Sequence, residues 1–569
     1  MRAPSTVYPE KSPPRQRGRR YHVTVGSARS PAGVALTRTW VAASVSTELT
    51  DRYHRAGWWD GQSLASVLSG ALASSAGQRF QVHSRERPWC GTVSDVSKLA
   101  RRLAAGLRRR GLGAGDPVAF QLPNSAEAAA AFYGLAMMGA VLVPIGHTAG
   151  TSELRHALRE SGARALIVGN WREPGFPFDA LVDGPVEHVI AVGELPVPRG
   201  VVAFEDLTDA EPIDRLATID PAAPAVIGWT SGTTGSPKGV LLSHRAICAE
   251  TRWHMSPMMS GLSHRLASTS PVAHVTGMLV SVLVPPLLKH EIHLLDYWDS
   301  SRVLSLMIAE SLSAGTGAPL FLASLLDDPH CTPAHHALIK AASLGGAAVK
   351  PELVRRADAL GIIAMRGYGC TEHPSISLGV VGDSLERRAN SDGKIAAGVE
   401  VRVVDSDGAP LGAGEAGELL TRGPDLFSGY TDPVLNNDAF VDGWYRTGDI
   451  GRVDDEGYLT IVDRKKDIII RAGMNISAAE LEAALISMAQ IADIAVVAAP
   501  DSRTGEHACA FVRPAPGCEV PTIPQIQQHL AASGIAKYKW PEEVRAHPTD
   551  FPRTAAGKIR KADLRAILI

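Results

Sequence analysis

The sequence predicts an α/β protein: a large N-terminal domain of mostly parallel sheet wound with helices, followed by a small α+β C-terminal domain. Three observations predict it. A chain of 569 residues is too long for one ordinary domain. Apolar runs of strand length alternate with helical periodicities, which argues for parallel strands with helices on both faces. A polar stretch, Asp463-Arg464-Lys465-Lys466-Asp467, lies between the apolar runs 458–462 and 468–470 and reads as a junction between domains. The expected division is 1–45, 46–465 and 466–569.

Hydrophobic content of 45% against 20% charged residues is that of a soluble globular protein. A formal net charge of −2 gives no electrostatic case for a nucleic-acid partner. Cysteines 90, 248, 331, 370, 509 and 518 are scattered with no C-x-x-C pair, which is neither a disulfide framework nor a zinc site and suits a reducing, cytoplasmic setting. The longest apolar stretch, 278–288, is short and contains Pro285-Pro286, so no transmembrane segment is expected.

Residues 1–45 are basic: Arg2, Lys11, Arg15, Arg17, Arg19, Arg20, Arg29 and Arg38 face Glu10 alone, without the apolar core of a signal peptide. A disordered extension, an over-long start site and an organelle transit peptide are the three readings, the first preferred. From Ser94 a helix is expected. Val96, Leu99, Leu103 and Leu107 form one stripe, Lys98, Arg101, Arg102 and Arg108 lie off it, and Gly111 can end it. A strand over 116–124, an Ala-rich helix over 127–138 and strands over 141–145, 165–168 and 188–192 follow.

The apolar run Ala225-Val226-Ile227-Gly228-Trp229 then leads into Thr230-Ser231-Gly232-Thr233-Thr234-Gly235-Ser236-Pro237-Lys238-Gly239, with helical sequence opening near Ser243-His244. The expectation is strand, Gly-rich loop, helix. Glycines let backbone N–H groups turn towards an anion, and the hydroxyls and Lys238 add donors and charge suited to a polyphosphate. The Walker pattern G-x-x-x-x-G-K-[ST] fails, because Pro237 precedes Lys238 and Gly239 follows it. A flexible linker would not sit between a strand and a helix.

This decapeptide resembles the phosphate loop of the adenylate-forming enzymes, which include acyl-CoA synthetases, luciferases and the adenylation domains of peptide synthetases. The resemblance returns at four later motifs in the family's order and covers the chain from about Arg52 onwards. It implies that the C-terminal domain is mobile, that ATP, Mg²⁺ and CoA are bound, and that Thr230, Ser231, Gly232, Thr233, Thr234, Gly235 and Lys238 hold the nucleotide, with Thr234 among the catalytic groups.

Further along, Ser270-Pro271-Val272-Ala273-His274-Val275-Thr276-Gly277-Met278 places one His among apolar residues, which is commonly a packing His. The resemblance implies instead that this segment walls the acyl pocket, with His274 gating it beside Gly277. The turns Ser313-Ala314-Gly315-Thr316-Gly317 and Ser343-Leu344-Gly345-Gly346-Ala347 show by themselves only close backbone approach. By resemblance Gly315 and Gly345 line the acyl tunnel and Gly346 the adenine. In Gly367-Tyr368-Gly369-Cys370-Thr371-Glu372, Tyr368 offers a flat face to a purine, Thr371 a hydroxyl to a phosphate, and Glu372 a hard oxygen suited to Mg²⁺. A Glu in a polar turn is ordinarily just solvated; the family pattern, with Gly369 beside it, reverses that.

Gly417-Glu418-Leu419-Leu420-Thr421-Arg422-Gly423-Pro424 through Gly429-Tyr430 resembles the next block and reads as structural. In Trp444-Tyr445-Arg446-Thr447-Gly448-Asp449, Asp449 is expected to accept from both ribose hydroxyls; a turn cap is its ordinary alternative. By resemblance Arg464 contacts the nucleotide, Lys466 is the hinge and Gly473 lines the CoA channel. A helix over 478–488 opens behind Ser477, with Glu480 at capping-box spacing. Near the end, Pro552-Arg553-Thr554-Ala555-Ala556-Gly557-Lys558-Ile559 resembles the catalytic-lysine loop, with Lys558 as that lysine.

The implied function is ATP-dependent activation of a carboxylic acid to acyl-AMP, then transfer to CoA. Segments 52–59, 271–278 and 296–299 are similar to ligases for fatty and alicyclic acids such as cyclohexanecarboxylate. The rivals are an acyl-AMP ligase loading a carrier protein and a non-catalytic adenylate-binding protein. Peripheral contact with a membrane surface stays open, since a lipid substrate could be collected there. The Lys558 segment also resembles one modified by protein acetyltransferases.

Overall fold

A computed structural model describes residues 40, 45–169, 181, 186–193, 197–230, 237–471, 474–501, 503–533, 535–553 and 558–568. Ser231, Gly232, Thr233, Thr234, Gly235 and Gly473, and nearly all of the 1–45 stretch, lie outside the described residues. Trp40, within that stretch, is buried in the same apolar cluster as Ile145, Leu154 and Leu158.

Strands Val202–Ala203, His188–Ala191, Ala165–Val168, Pro117–Gln121, Val141–Pro144, Pro224–Thr230 and Lys238–Ser243 lie side by side in that order as one seven-stranded sheet. The first six run parallel to one another. Their apolar runs, such as Val118–Phe120 and Leu166–Val168, are buried on both faces, as a sheet covered by helices requires. Helix Val93–Arg109 starts one residue earlier than the sequence suggests, because Thr92 and Asp95 close a capping box. It packs on helix Ala126–Met138. A Cβ on Gly134 would fall 2.5 Å from the Ala100 carbonyl, so the small residues of that helix allow the two backbones to meet.

The strand–loop–helix expectation around 230–239 needs one correction. The loop returns into a strand, Lys238–Ser243, antiparallel to Pro224–Thr230, with Thr230 opposite Lys238 and Trp229 opposite Gly239. The apolar run Val240-Leu241-Leu242 is fully buried as the sheet's last strand. The helix starts only afterwards, at His244, where the Ser243 hydroxyl caps it as expected.

Two four-stranded sheets follow, one of Ala267–Ser268, Ile292–Leu295, Arg79–His83 and Trp89–Thr92, the other of Ala341–Leu344, Ile363–Tyr368, Ser377–Leu378 and Lys394–Ile395. A five-stranded sheet of Glu400–Val404, Gly417–Arg422, Trp444–Val453, Phe440–Val441 and Leu459–Arg464 is antiparallel throughout. Antiparallel strands therefore accompany the parallel ones, where the sequence reading emphasised the latter.

Beyond Arg464 comes a turn, Lys465–Asp467, then a mixed sheet of Met474–Ser477, Ile468–Arg471, Gly505–Pro514, Ile491–Asp501 and Glu543–Ala546. Helices Ala478–Leu485 and Ile523–Ala532 close its core through Leu481, Leu485, Ile526 and Leu530. The first of these ends at Leu485 rather than at residue 488. Its capping box is half used: Ser477 accepts from the Glu480 N–H at 3.1 Å, but the Glu480 carboxylate pairs with Lys539 instead. The Asp463 carboxylate accepts from Ser477 at 2.6 Å and from the Ala479 N–H at 3.1 Å, so the polar junction caps the helix that follows it.

Candidate functional site

The site forms where strands Pro224–Thr230 and Ile363–Tyr368 end, the side of an α/β sheet where ligands bind. Three close approaches shape it. A Cβ on Gly228 would meet Thr371 Cγ2 at 2.9 Å and Val275 Cγ2 at 3.3 Å, so the 367–372 turn and the 270–278 segment converge on the strand entering the 230–239 loop. A Cβ on Gly369 would lie 1.9 Å from the Pro374 carbonyl, and only glycine permits that turn. A Cβ on Gly277 would lie 1.8 Å from the Pro271 carbonyl, so Gly277 closes the 270–278 turn on itself.

The Gly429–Tyr430 segment, read from sequence as structural, is a connector. The Leu241 N–H donates to the Gly429 carbonyl at 2.9 Å and the Thr431 N–H to the Gly239 carbonyl at 2.8 Å, which lays the segment along strand Lys238–Ser243. The Lys238 ammonium sits 5.2 Å from the centre of the Tyr430 ring. The Tyr430 hydroxyl donates to Glu372 Oε1 at 2.8 Å. The Glu372 carboxylate thus stands beside Lys558 as a hard oxygen donor, the ligand chemistry that fits Mg²⁺.

On the other side, the Tyr368 hydroxyl donates to Asp449 Oδ2 at 2.5 Å, an engagement that the sequence did not suggest. Arg464 stands opposite Asp449 on the neighbouring strand, with Nε 2.6 Å from Oδ1. That contact is an ion pair without hydrogen-bond alignment, and among the described residues the buried Oδ1 takes no hydrogen bond. An orphan acceptor of this kind suits a hydroxyl-bearing ligand. Burial pushes the Asp449 carboxyl up, against the pull of Arg464.

Lys558 comes from the far end of the chain to the same place. Its pKa is lowered, first by burial and then by Arg464, while Asp449, Cys370 and Glu372 pull the other way. Solvent reaches its side chain, yet these groups crowd it, as at the rim of a cleft. Lys466 is lowered to about 8 by burial and by Arg464. Arg565 pairs with Asp467 and donates to the Lys466 carbonyl at 3.1 Å, which ties the junction to the last helix.

The two small-residue turns are neighbours. The Gly317 N–H donates to the Ser343 carbonyl at 2.9 Å and the Gly345 N–H to the Gly317 carbonyl at 3.0 Å. Gly315 and Gly346 have φ of +95° and +74°, where a side chain would be strained. A Cβ on Gly345 would lie 2.9 Å from the Gly367 carbonyl, so this pair of turns abuts the Tyr368 strand. His274 Nε2 lies 3.6 Å from where a Gly146 Cβ would stand, and burial, then His147, keeps the imidazole neutral.

Sequence reasoning missed a buried cluster directly behind Glu372. His254 Nδ1 faces Glu250 Oε2 at 2.8 Å and Asp425 Oδ2 at 3.7 Å, and its Nε2 donates to the Ala397 carbonyl at 2.8 Å. His373 spans Thr421 at 2.9 Å and Asp425 at 3.2 Å, and Ser375 donates to Glu250 at 2.7 Å. Burial would lower His254, but Asp425 and Glu250 raise it to about 11, so it is an imidazolium. Burial raises Glu250 against the pull of His254, while His373 and His254 hold Asp425 well below the usual carboxylate range despite its burial. The i,i+4 spacing of Glu250 and His254 was the only local signal.

The chain matches the family described as AMP-binding enzyme over residues 87–431, and the AMP-binding enzyme C-terminal domain over 480–558. It is 30% identical over 521 residues to the medium-chain fatty-acid–CoA ligase of Escherichia coli K12, covering 90% of this chain and 92% of that one. It is 31% identical over 482 residues to the indoleacetate–CoA ligase of Aromatoleum aromaticum, covering 84% and 93%. The ATP-bound crystal structure of MatB from Rhodopseudomonas palustris superposes with a TM-score of 0.79 at 25% identity, covering 88% of this chain and 98% of MatB.

Proposed function

This chain belongs to the AMP-binding enzyme family, and from that premise we propose that it is an AMP-forming acyl-CoA synthetase acting on apolar monocarboxylic acids of the fatty or alicyclic kind. The reaction is ATP-dependent activation of a carboxylic acid to acyl-AMP, followed by transfer to CoA. The observation that carries the residue assignment is that three separate stretches of chain bring Glu372, the Asp449–Arg464 pair and Lys558 close to one another.

A carboxylate is a poor acyl donor, because its leaving group would be oxide. Attack of the carboxylate oxygen on the α-phosphorus of ATP forms the mixed anhydride and expels pyrophosphate. The thiol sulfur of CoA then attacks the acyl carbon, loses its proton to solvent, and AMP leaves. Both partners of the first step are anionic, so positioning and charge neutralisation are the main demands. In our reading Thr230, Lys238 and Thr371 hold phosphate oxygens, Asp449 accepts from the ribose, Tyr368 and Gly346 border the purine, and Lys558 lies between carboxylate and α-phosphate. The loop residues Ser231, Gly232, Thr233, Thr234 and Gly235 share the phosphate role. Glu372 would hold Mg²⁺ arriving with ATP, which neutralises phosphate charge. His274, Gly277, Gly315 and Gly345 border the acyl group; the neutral imidazole and apolar neighbours favour an acid without a second charge.

We assign residues 46–465 to the nucleotide-binding domain and 466–569 to a lid that turns about Lys466, withdrawing Lys558 and presenting Gly473 to CoA. The test is Lys558→Ala assayed in separate half-reactions. Acyl-AMP formation should be lost, while thioester formation from supplied acyl-AMP is largely kept. Equal loss in both would refute the alternation. Six free cysteines support a reducing, cytoplasmic location; among the described residues no helix is long and apolar enough to cross a membrane.

A further inference from the structure

We propose that Tyr430 is a positioning residue for adenylation: one side chain that sets Glu372 and Lys238 in register with each other. The inference rests on the assignment of Glu372 to Mg²⁺ and Lys238 to phosphate. Its basis is the placement of three separate segments. Strand Lys238–Ser243 leaves the 230–239 loop and carries Lys238 at its first position. The 367–372 turn carries Glu372. The 428–431 segment lies against the first through the Ser428 N–H to Leu241 carbonyl bond at 2.7 Å and the Thr431 N–H to Gly239 carbonyl bond at 2.8 Å. It is tied to the second through the Phe427 N–H, which donates to the Glu372 carbonyl at 2.8 Å. Tyr430 therefore has its backbone on one element and its hydroxyl on the other.

Its ring does the remaining work. The face of the phenol receives the Lys238 ammonium at 5.2 Å, and the hydroxyl donates to Glu372 Oε1 at 2.8 Å. Opposite charges thus sit at two ends of one rigid group that keeps them apart. Without it, the group that touches both charges is gone. Binding one carboxylate oxygen also sets the direction of the other. Phe427 packs on the ring with centroids 5.0 Å apart, and is itself held by Phe440 at 5.0 Å and Tyr445 at 5.1 Å, so the phenol has little freedom to swing. A tyrosine present only for packing would need no hydroxyl here.

The experiment compares Tyr430→Phe, Tyr430→Leu and Glu372→Gln with the unaltered enzyme. The binding readout is Mn²⁺ affinity, by electron paramagnetic resonance, in the complex with α,β-methylene-ATP. Tyr430→Phe keeps the ring and should weaken Mn²⁺ binding about tenfold, the effect of one hydrogen bond to a charged group. Its KM for ATP in acyl-AMP formation should rise, while thiolysis of supplied acyl-AMP changes little, which also reports that the variant is folded. Tyr430→Leu removes the seat for Lys238 as well and should further weaken binding of the metal-free analogue. Mn²⁺ affinity unchanged in Tyr430→Phe but lost in Glu372→Gln would overturn the role of Tyr430 alone. Unchanged affinity in Glu372→Gln would overturn the metal assignment, and the inference with it.

Discussion

Replacing His254 with Gln probes the buried cluster behind Glu372. His254 is 1% exposed and is the cation between the Glu250 and Asp425 carboxylates, at 2.8 and 3.7 Å. Glutamine keeps a donor but not the charge, so two buried carboxylates face each other. Breaking a buried ion pair costs about 3–5 kcal/mol. Glu250 limits the damage: burial already raises its pKa, so it takes up a proton in the variant, and the lower end, about 3 kcal/mol, is expected. At roughly 2 °C per kcal/mol for a large domain, the first unfolding transition should fall by about 6 °C at pH 7, read by scanning fluorimetry. Adding Asp425→Asn removes one of the facing carboxylates and should recover about half of the loss, a coupling that a double-mutant cycle measures. The pH sign is definite. The folded pKa of His254 is raised from 6.5 to about 11, so its contribution is complete below 6.5 and is lost as pH rises towards 11. The unaltered protein should lose stability across that window, and His254→Gln should lose less. An unchanged transition temperature, or strictly additive effects in the double variant, would refute the reasoning.

Other consequences are as direct. Lys558 has a lowered pKa, so kcat/KM for ATP in acyl-AMP formation should decline as pH rises through that value, below the ordinary lysine range; Lys558→Arg, permanently charged, should be slower but show no such decline in a pH–rate profile. Asp449→Asn removes the charge that pairs with Arg464 and accepts from Tyr368, and steady-state kinetics should show KM for ATP raised by about 10- to 100-fold, the range for hydrogen bonds to a charged group, with the KM for the acid nearly unchanged. A protein lysine acetyltransferase with acetyl-CoA should add one acetyl group at Lys558, seen by intact mass and peptide mapping, and abolish acyl-AMP formation.

The parts of the fold legible in the sequence are those set by local pattern. Val118–Phe120 and Leu166–Val168 read as buried parallel strands because both their faces are apolar. The Val96–Leu107 stripe marked its helix within a residue. Reading failed where the decisive partner is remote. Lys238-Gly239 looks like loop sequence, and only the waiting sheet edge makes it strand. Glu480 had the spacing to cap its own helix but found Lys539, 59 residues away. Tyr430 and Glu372 stand 58 residues apart, and no periodicity links them. The motifs around Glu372, Asp449 and Lys558 stood out in the sequence because each is a compact run of residues, and the structure brings these three residues together. Which oxygen of each carboxylate is occupied, and by what, needed the structure.

The most direct test of the account is product stoichiometry. The enzyme is incubated with ATP, Mg²⁺ and CoA and a panel of short to long fatty, alicyclic and aromatic acids, and the products are identified by mass spectrometry. AMP, pyrophosphate and acyl-CoA should form in equal amounts, turning over many times with at least one apolar acid and only when CoA is present. Acyl-AMP that accumulates to one equivalent per enzyme whether or not CoA is added, or no ATP consumption with any acid, would contradict it.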